Sequence, residues 1–288
     1  MIIVDLNQVM LSNLLSQLGS HTNAKIEENM VRHMIINTLR SYKVKFGAEY
    51  GEMVIACDNR NYWRKQIFPY YKANRKKSQA KSELDWSEIF GCMDKIRSEL
   101  KEFFPYRIID IESAEADDII GTLCTEFGQT IGGDPILILS GDKDFIQLHV
   151  YGNVKQYDPT RKRWIKHNDP ETYLIEHIMK GDSSDGVPNI LSSDNCFVVG
   201  ERQRPLTAKR IEKFKKITDD EWPEYPETNI SRNYFRNAQL IDLSHTPDTI
   251  KENVMVSYNK QTGKNRSKLL DYFTSFKLRE LTQHIGDF

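Results

Sequence analysis

The sequence predicts an α/β fold, with a largely parallel central sheet flanked by helices and a smaller, mainly helical part behind it. Two observations predict this. Short apolar runs without alternation recur along the first half of the 288 residues: Ile2-Ile3-Val4, Met53-Val54-Ile55-Ala56-Cys57 and Ile136-Leu137-Ile138-Leu139. Such runs read as strands buried on both faces of a parallel sheet. Between them, apolar residues return at helical spacing, and strand alternating with helix implies a doubly covered sheet.

The first strand runs into Asp5. Met30, Val31, Met34, Ile35, Leu39 and Tyr42 then predict a helix, with Gly47 as its stop. The second strand runs into Asp58. Trp86, Ile89, Phe90, Met93, Ile96, Leu100 and Phe103 predict the next helix, closed by Pro105. Residues 106–110 are a further strand candidate. Ile119, Ile120, Leu123, Cys124 and Phe127 mark a helix behind an acidic first turn. The third apolar run leads to Asp142, and residues 154–165 read as a hairpin turning at Asp158-Pro159. Behind Pro170, helical stretches such as 173–179 and 207–217 alternate with Gly-, Ser-, Asp- and Pro-rich loops. The expected division is therefore residues 1–170 and 171–288.

No stretch approaches the roughly 20 apolar residues of a membrane span, and MIIVDLNQVM lacks the form of a signal peptide. Four scattered cysteines give neither a disulfide framework nor a zinc motif, which fits a cytoplasmic protein. Neither a G-x-G-x-x-G nor a Walker loop is present, and the seven histidines sit in no telling arrangement. Net charge is only -1, but it is zoned. From Arg60 to Lys81 there are eight basic residues and no acidic one, while aspartates gather elsewhere. That zoning suits a polyanion held against a metal site.

Ligands of open parallel sheets bind beyond the carboxyl ends of the strands. Asp5, Asp58 and Asp142 stand at such ends, with Asp144 close behind. Glu115, Asp117 and Asp118 open a helix, and Asp182 and Asp185 share a later loop. Taken singly, each reads equally as a cap, a turn residue or a helix-dipole partner. Taken together, so many carboxylates at one rim require a counter-cation or strongly raised pKa values. Hard divalent ions suit such oxygen donors: two Mg²⁺, with Mn²⁺ as the natural substitute. A pair of such ions activates water and stabilises the leaving oxygen of a phosphodiester. Beside the second strand end, the basic segment adds Tyr62, Trp63, Phe68 and Tyr71. Its cations suit phosphates, and its aromatic rings read either as faces for unstacked bases or as local packing.

As a set, these motifs resemble the 5′-nuclease superfamily of flap endonucleases, polymerase 5′-nuclease domains and phage 5′-exonucleases and RNases H. The likeness spans nearly the whole chain. It implies a PIN-like core with a basic helical arch at about 60–86. It also implies one metal site of Asp5, Asp58, Glu115, Asp117 and Asp142, and a second of Asp144, Asp182 and Asp185 with Asp118 nearby. Tyr71-Lys72-Ala73-Asn74-Arg75 resembles the family's Tyr-Lys-x-Asn-Arg, which puts Lys72 and Arg75 on the scissile phosphate with Arg64 assisting. Lys65, Tyr71, Lys76 and Lys77 join them as nucleic-acid contacts. Residues 180–188 resemble the opening of a helix–three-turn–helix element that grips duplex. The usual Gly-x-Gly-x-Lys is missing, and Lys209 and Arg210, on a basic helix, read either as phosphate contacts in its place or as part of a solvated face.

The resemblance implies a monomeric 5′-3′ exonuclease and flap endonuclease acting on RNA–DNA and DNA 5′ ends. Its role would be the removal of lagging-strand primers during phage replication. The implied partners are 5′ flaps, nicked duplexes and RNA–DNA hybrids, with a single-strand-binding protein or sliding clamp, although residues 283–288 do not read as a clamp peptide. Two alternatives stand beside it. One is a structure-specific DNA-binding module with little catalysis, whose mark would be lost acids, and none of the matched positions has lost its acid. The other is a different acidic-site metal-dependent RNase, but toxin-type enzymes are shorter and lack the basic arch. An aspartyl-phosphate phosphatase needs Asp-x-Asp, which Asp5-Leu6-Asn7 does not provide.

Overall fold

The three apolar runs and the candidate strand at 106–110 pair as neighbouring parallel strands in a computed structural model of the chain. The structure describes residues 1–18, 26–80, 82, 84–129, 132–218 and 220–288, without the side chains of 16–18 and 76–78. Strands β1 (Ile2–Asp5), β2 (Met53–Ala56), β3 (Arg107–Ile109), β4 (Ile136–Leu139), β5 (Val154–Asp158) and β6 (Arg163–Ile165) form one sheet, in the order β3-β2-β1-β4-β5-β6. All neighbours are parallel except β5 and β6, which close the expected hairpin.

The helices are α1 (Leu6–Leu18), α2 (Glu28–Tyr50), α3 (Arg64–Ile67), α4 (Ala73–Ala80), α5 (Trp86–Phe103) and α6 (Ala116–Gly128), then α7 (Pro170–Lys180), α8 (Cys196–Val199), α9 (Ala208–Phe214), α10 (Thr228–Ile241), α11 (Asp248–Lys260), α12 (Leu269–Ser275) and α13 (Arg279–Thr282). Gly47 does not stop α2. Phe46 and Tyr50 carry the buried stripe of Val31, Ile35, Leu39 and Tyr42 onward, and the helix ends at Gly51 with φ +74°. A mid-helix glycine costs only about 1 kcal/mol against alanine, which that packing outweighs.

The continuous apolar runs serve both faces of the sheet. Ile2 and Val4 join the layer of α1, α2 and α5, whereas Ile3 joins that of α6. The chain behind residue 170 divides among three cores. Phe214, Trp222 and Tyr234 pack with Phe68 and Tyr71; Val254 and Tyr258 of α11 pack on the α6 face; Leu269, Phe273 and Phe288 pack on the α2 face. The basic segment thus forms one core with α7, α9 and α10. Phe288 is 2% exposed among Phe104 and Phe273. All four cysteines are free and buried. Among the described residues, no helix is long and apolar enough to cross a membrane.

Candidate active site

Register sets the site. Asp5 lies level with Ala56 of β2, and Val4 lies level with Leu139 of β4. Asp58 and Asp142 come just past those strand ends, so three carboxylates emerge along one edge. Local hydrogen bonds aim them. Asp5 accepts from the Gln8 amide and the Ser140 hydroxyl, both at 3.1 Å. Asp58 accepts from Asn7 Nδ2 at 2.6 Å and from the Ala116 amide, at the start of α6, at 2.7 Å. Asp142 accepts the Asp144 amide at 3.0 Å. Asp182 accepts the Ser184 and Asp185 amides at 2.7 and 3.2 Å. That last turn needs Gly181 at φ +67°, because a Cβ there would lie 2.4 Å from the Val187 carbonyl oxygen.

The acids open on a cleft of about 910 Å³, lined by Asp5, Asp58, Asp117 and Asp142 and also by Tyr62, Lys65, Lys72 and Arg75. Crowding shows in their protonation. Burial, with Asp58 second, pushes Asp5 up to about 7. Burial and then Asp142 push Asp144 to about 8 and Asp117 well above the carboxylate range. Burial, with Asp185 and Asp182 close by, raises Asp142 as well. Asp182 moves the other way: burial would raise it, but the His177 imidazole and the Ser184 donors outweigh that. Hard oxygen donors in this density, with their negative charge unbalanced, are the donor set a divalent cation takes.

The sequence places Glu115 and Asp118 among the ligands; the structure turns both inward. Glu115 is fully buried, and its two oxygens take Arg64, Lys72 and Tyr71. Asp118 is equally buried and binds Arg64, Trp63 Nε1 and Thr246. Arg64 and Tyr71, expected from the sequence as nucleic-acid contacts, are buried as well. Arg64 is 1% exposed and also donates to the Leu240 carbonyl at 2.9 Å, so its charge is used inside. Tyr71 is 3% exposed and its hydroxyl donates to Asp185 at 2.9 Å. The aromatic residues Trp63, Phe68 and Tyr71 are packing, not stacking, surfaces.

Lys72 lines the cleft, with its ammonium on Glu115 and 3.5 Å from Asp185. Arg75 reaches Asp185 at 2.5 Å and stays half exposed. Lys65 is exposed beside the Tyr62 ring, 4.4 Å from its centroid. The side chains of Lys76 and Lys77 lie outside the described residues. Lys209 and Arg210 are exposed on α9 and do not line the cleft. Where the glycine-rich turn is missing, residues 189–206 make a closed excursion. It is tied by Asn189 Nδ2 to the Arg204 carbonyl at 2.9 Å and by Arg236 to the Pro188 carbonyl at 3.0 Å. Asn7, Gln8, Ser140 and His177 complete the site and were not legible, because what marks them is a contact with a carboxylate and not a motif.

Two family models match the chain. One, described as "5'-3' exonuclease, N-terminal resolvase-like domain", covers residues 2–177, and one described as "T4 RNase H, C terminal" covers residues 168–288. The chain belongs to the 5′-3′ exonuclease family. It is a nuclease of that class. It is 36% identical to the ribonuclease H of Enterobacteria phage T4, over 99% of this chain and 95% of that protein. In fold it matches the 5′-exonuclease of T5 solved with zinc ions, with TM-score 0.63, 18% identity and coverage of 97% of this chain and 98% of that one. It also matches the T5 flap endonuclease solved in a pseudo-enzyme–product complex with DNA and metal ions, with TM-score 0.58, 18% identity and coverage of 98% of each chain.

For this nuclease the inward network makes a stability prediction. Arg64→Leu leaves Asp118 and part of Glu115 buried without their cation, so urea unfolding should show a loss of about 3–5 kcal/mol. A loss below about 1 kcal/mol would mean that the two acids find another partner. The outward acids make a pH prediction. Raised carboxylates hold a proton in the folded state that the unfolded chain has released. Stability of the metal-free protein should therefore fall as pH rises from about 4 through the folded values of about 7 for Asp5 and about 8 for Asp144. His177, also raised, adds the same sign, whereas the lowered Asp182 acts only below about 4. Thermal melts in EDTA from pH 5.5 to 8.5 should show a declining Tm, with Mg²⁺ restoring most at the alkaline end. A flat or rising Tm would contradict the crowding.

Proposed function

We propose that the chain cleaves phosphodiesters near 5′ ends of flapped, nicked and RNA-primed duplexes. Asp5, Asp58, Asp117 and Asp142 would hold one cation, and Asp144, Asp182 and Asp185 a second, Mg²⁺ under ordinary conditions. When bound, such ions supply activation of a water and neutralisation of the leaving oxygen. The observation that carries the reading is the register-fixed rim of carboxylates facing Lys72 and Arg75 across one cleft. Lys72 presents a positive charge held by two acids, so phosphoryl oxygens meet an oriented field that needs no reorganisation. Arg75, half exposed, and Lys65 draw the strand in by charge. The part from 171 to 288 holds the adjoining duplex, with Lys209 and Arg210 on its phosphates. Primer removal during phage replication is the biological setting this chemistry fits, the chain acting as a monomer in the host cytoplasm beside a single-strand-binding protein or clamp.

The test uses 5′-labelled nicked, flapped and RNA-primed duplexes with Mg²⁺ or EDTA. Short 5′ products released only with Mg²⁺ are expected. Tight junction binding without cleavage in Mg²⁺ or Mn²⁺ would overturn the proposal in favour of a binding module.

A further inference from the structure

The carboxylates are not the whole donor set. His177, on the last turn of α7, has Nδ1 3.5 Å from Asp144 Oδ1 and Nε2 3.7 Å from Asp182 Oδ2. One ligand atom from each of the three residues lies within 4.8 Å of the others. Each comes from a different piece of chain: the turn after β4, α7, and the turn after α7. The imidazole is 13% exposed, and Tyr173 packs edge-on against it with centroids 5.7 Å apart, which fixes the ring plane.

Both separations are longer than an ordinary N–H···O hydrogen bond, so the ring stands between the two carboxylates at ion-pair distance. Donors about 2.1 Å from one cation lie roughly 3.0–3.4 Å apart, a few tenths of an ångström closer than the two His177 separations of 3.5 and 3.7 Å, so a shared cation would draw these donors together. A ligating histidine also keeps its second nitrogen on a carboxylate, and here whichever nitrogen binds, the other faces Asp144 or Asp182. We infer that His177 is a nitrogen ligand of the second cation site, together with Asp144 and Asp182. The inference rests on the proposed metal-dependent cleavage. Imidazole favours the later transition ions, whereas an all-carboxylate set favours Mg²⁺. The first site, of Asp5, Asp58, Asp117 and Asp142, offers oxygen alone. The centre therefore pairs an oxygen-only site with a mixed one, and the second prefers Mn²⁺, Co²⁺ or Zn²⁺ to Mg²⁺.

The experiment loads the full-length chain with Mn²⁺ and records pulsed EPR, with natural-abundance and ¹⁵N-histidine protein. Nitrogen modulation that changes with the isotope is expected. His177→Gln should abolish it and weaken Mn²⁺ at one of two sites by about tenfold, with Mg²⁺ affinity changed much less. Two bound Mn²⁺ without histidine modulation, or with unaltered affinity in the variant, would overturn the inference and leave the nuclease centre standing. No Mn²⁺ bound by the wild-type chain would instead overturn the metal reading beneath it. The isotope comparison needs no variant, so misfolding of His177→Gln cannot decide the matter.

Discussion

Asp142→Asn should lower single-turnover cleavage by about a thousandfold or more, equivalent to about 4 kcal/mol of transition-state stabilisation, while substrate binding stays constant or tightens. The size of the effect comes from position. Asp142 stands past the end of β4, beside the strand that carries Asp5, and Asp5, Asp117 and Asp144 all feel its charge. Its carboxylate accepts the Asp144 amide at 3.0 Å, a bond the asparagine oxygen keeps. The turn survives and the negative charge does not. A cation held between oxygens loses an anionic ligand, whereas an incoming phosphate loses a repulsive neighbour. The same change relieves crowding, so the metal-free variant should melt no lower than wild type, and its decline with pH should be shallower. Rates with flapped duplex in Mg²⁺, and affinity measured in Ca²⁺, separate the two effects. Turnover within tenfold of wild type would remove Asp142 from the reacting centre.

Most of the sheet was legible because strands buried on both faces are written as unbroken apolar runs, and Asp5, Asp58 and Asp142 stand directly behind those runs. The two-sided burial of Ile2, Ile3 and Val4 is the physical form of that signal. What the sequence hid was orientation. Glu115-Ala116-Asp117-Asp118 reads as one acidic turn, yet the helix rotates Asp117 into the cleft and the other two onto Arg64. Arg64 lies far from Glu115 and Asp118 in sequence, so nothing local distinguishes it from Lys65, which is exposed. Tyr71 is hidden in the same way, since a tyrosine inside a basic run looks like a stacking face until its hydroxyl is found on Asp185. His177 shows the limit most clearly. Its partner Asp144 lies in the turn after β4, and only the packing of α7 beside that turn brings them together. Distances of this kind arise from tertiary packing and leave no periodicity to read.

Lys72→Ala should slow the chemical step by about a hundredfold to a thousandfold, with affinity changed by less than about threefold. Lys72 sits at φ +55° with its side chain 9% exposed and its ammonium held by Glu115 and Asp185. Burial alone would lower its pKa, but the two acids outweigh that and raise it, so the charge is present across the working pH range. A charge fixed in this way cannot travel with the strand; it acts on whatever phosphate reaches the cleft. Alanine leaves the backbone strain as it was, because any residue with a Cβ meets the same left-handed penalty of about 1–2 kcal/mol. Glycine would relieve that strain and confuse the comparison. Glu115 keeps Arg64 and Tyr71 in the variant, so the fold should hold and its Tm should show it. Arg75→Ala is the contrast. Half exposed, Arg75 should act chiefly through affinity, lowering the salt slope by about one counterion. If Lys72→Ala weakened binding and left the single-turnover rate untouched, Lys72 would be a tether like Arg75, and the field across the cleft would have to come from elsewhere.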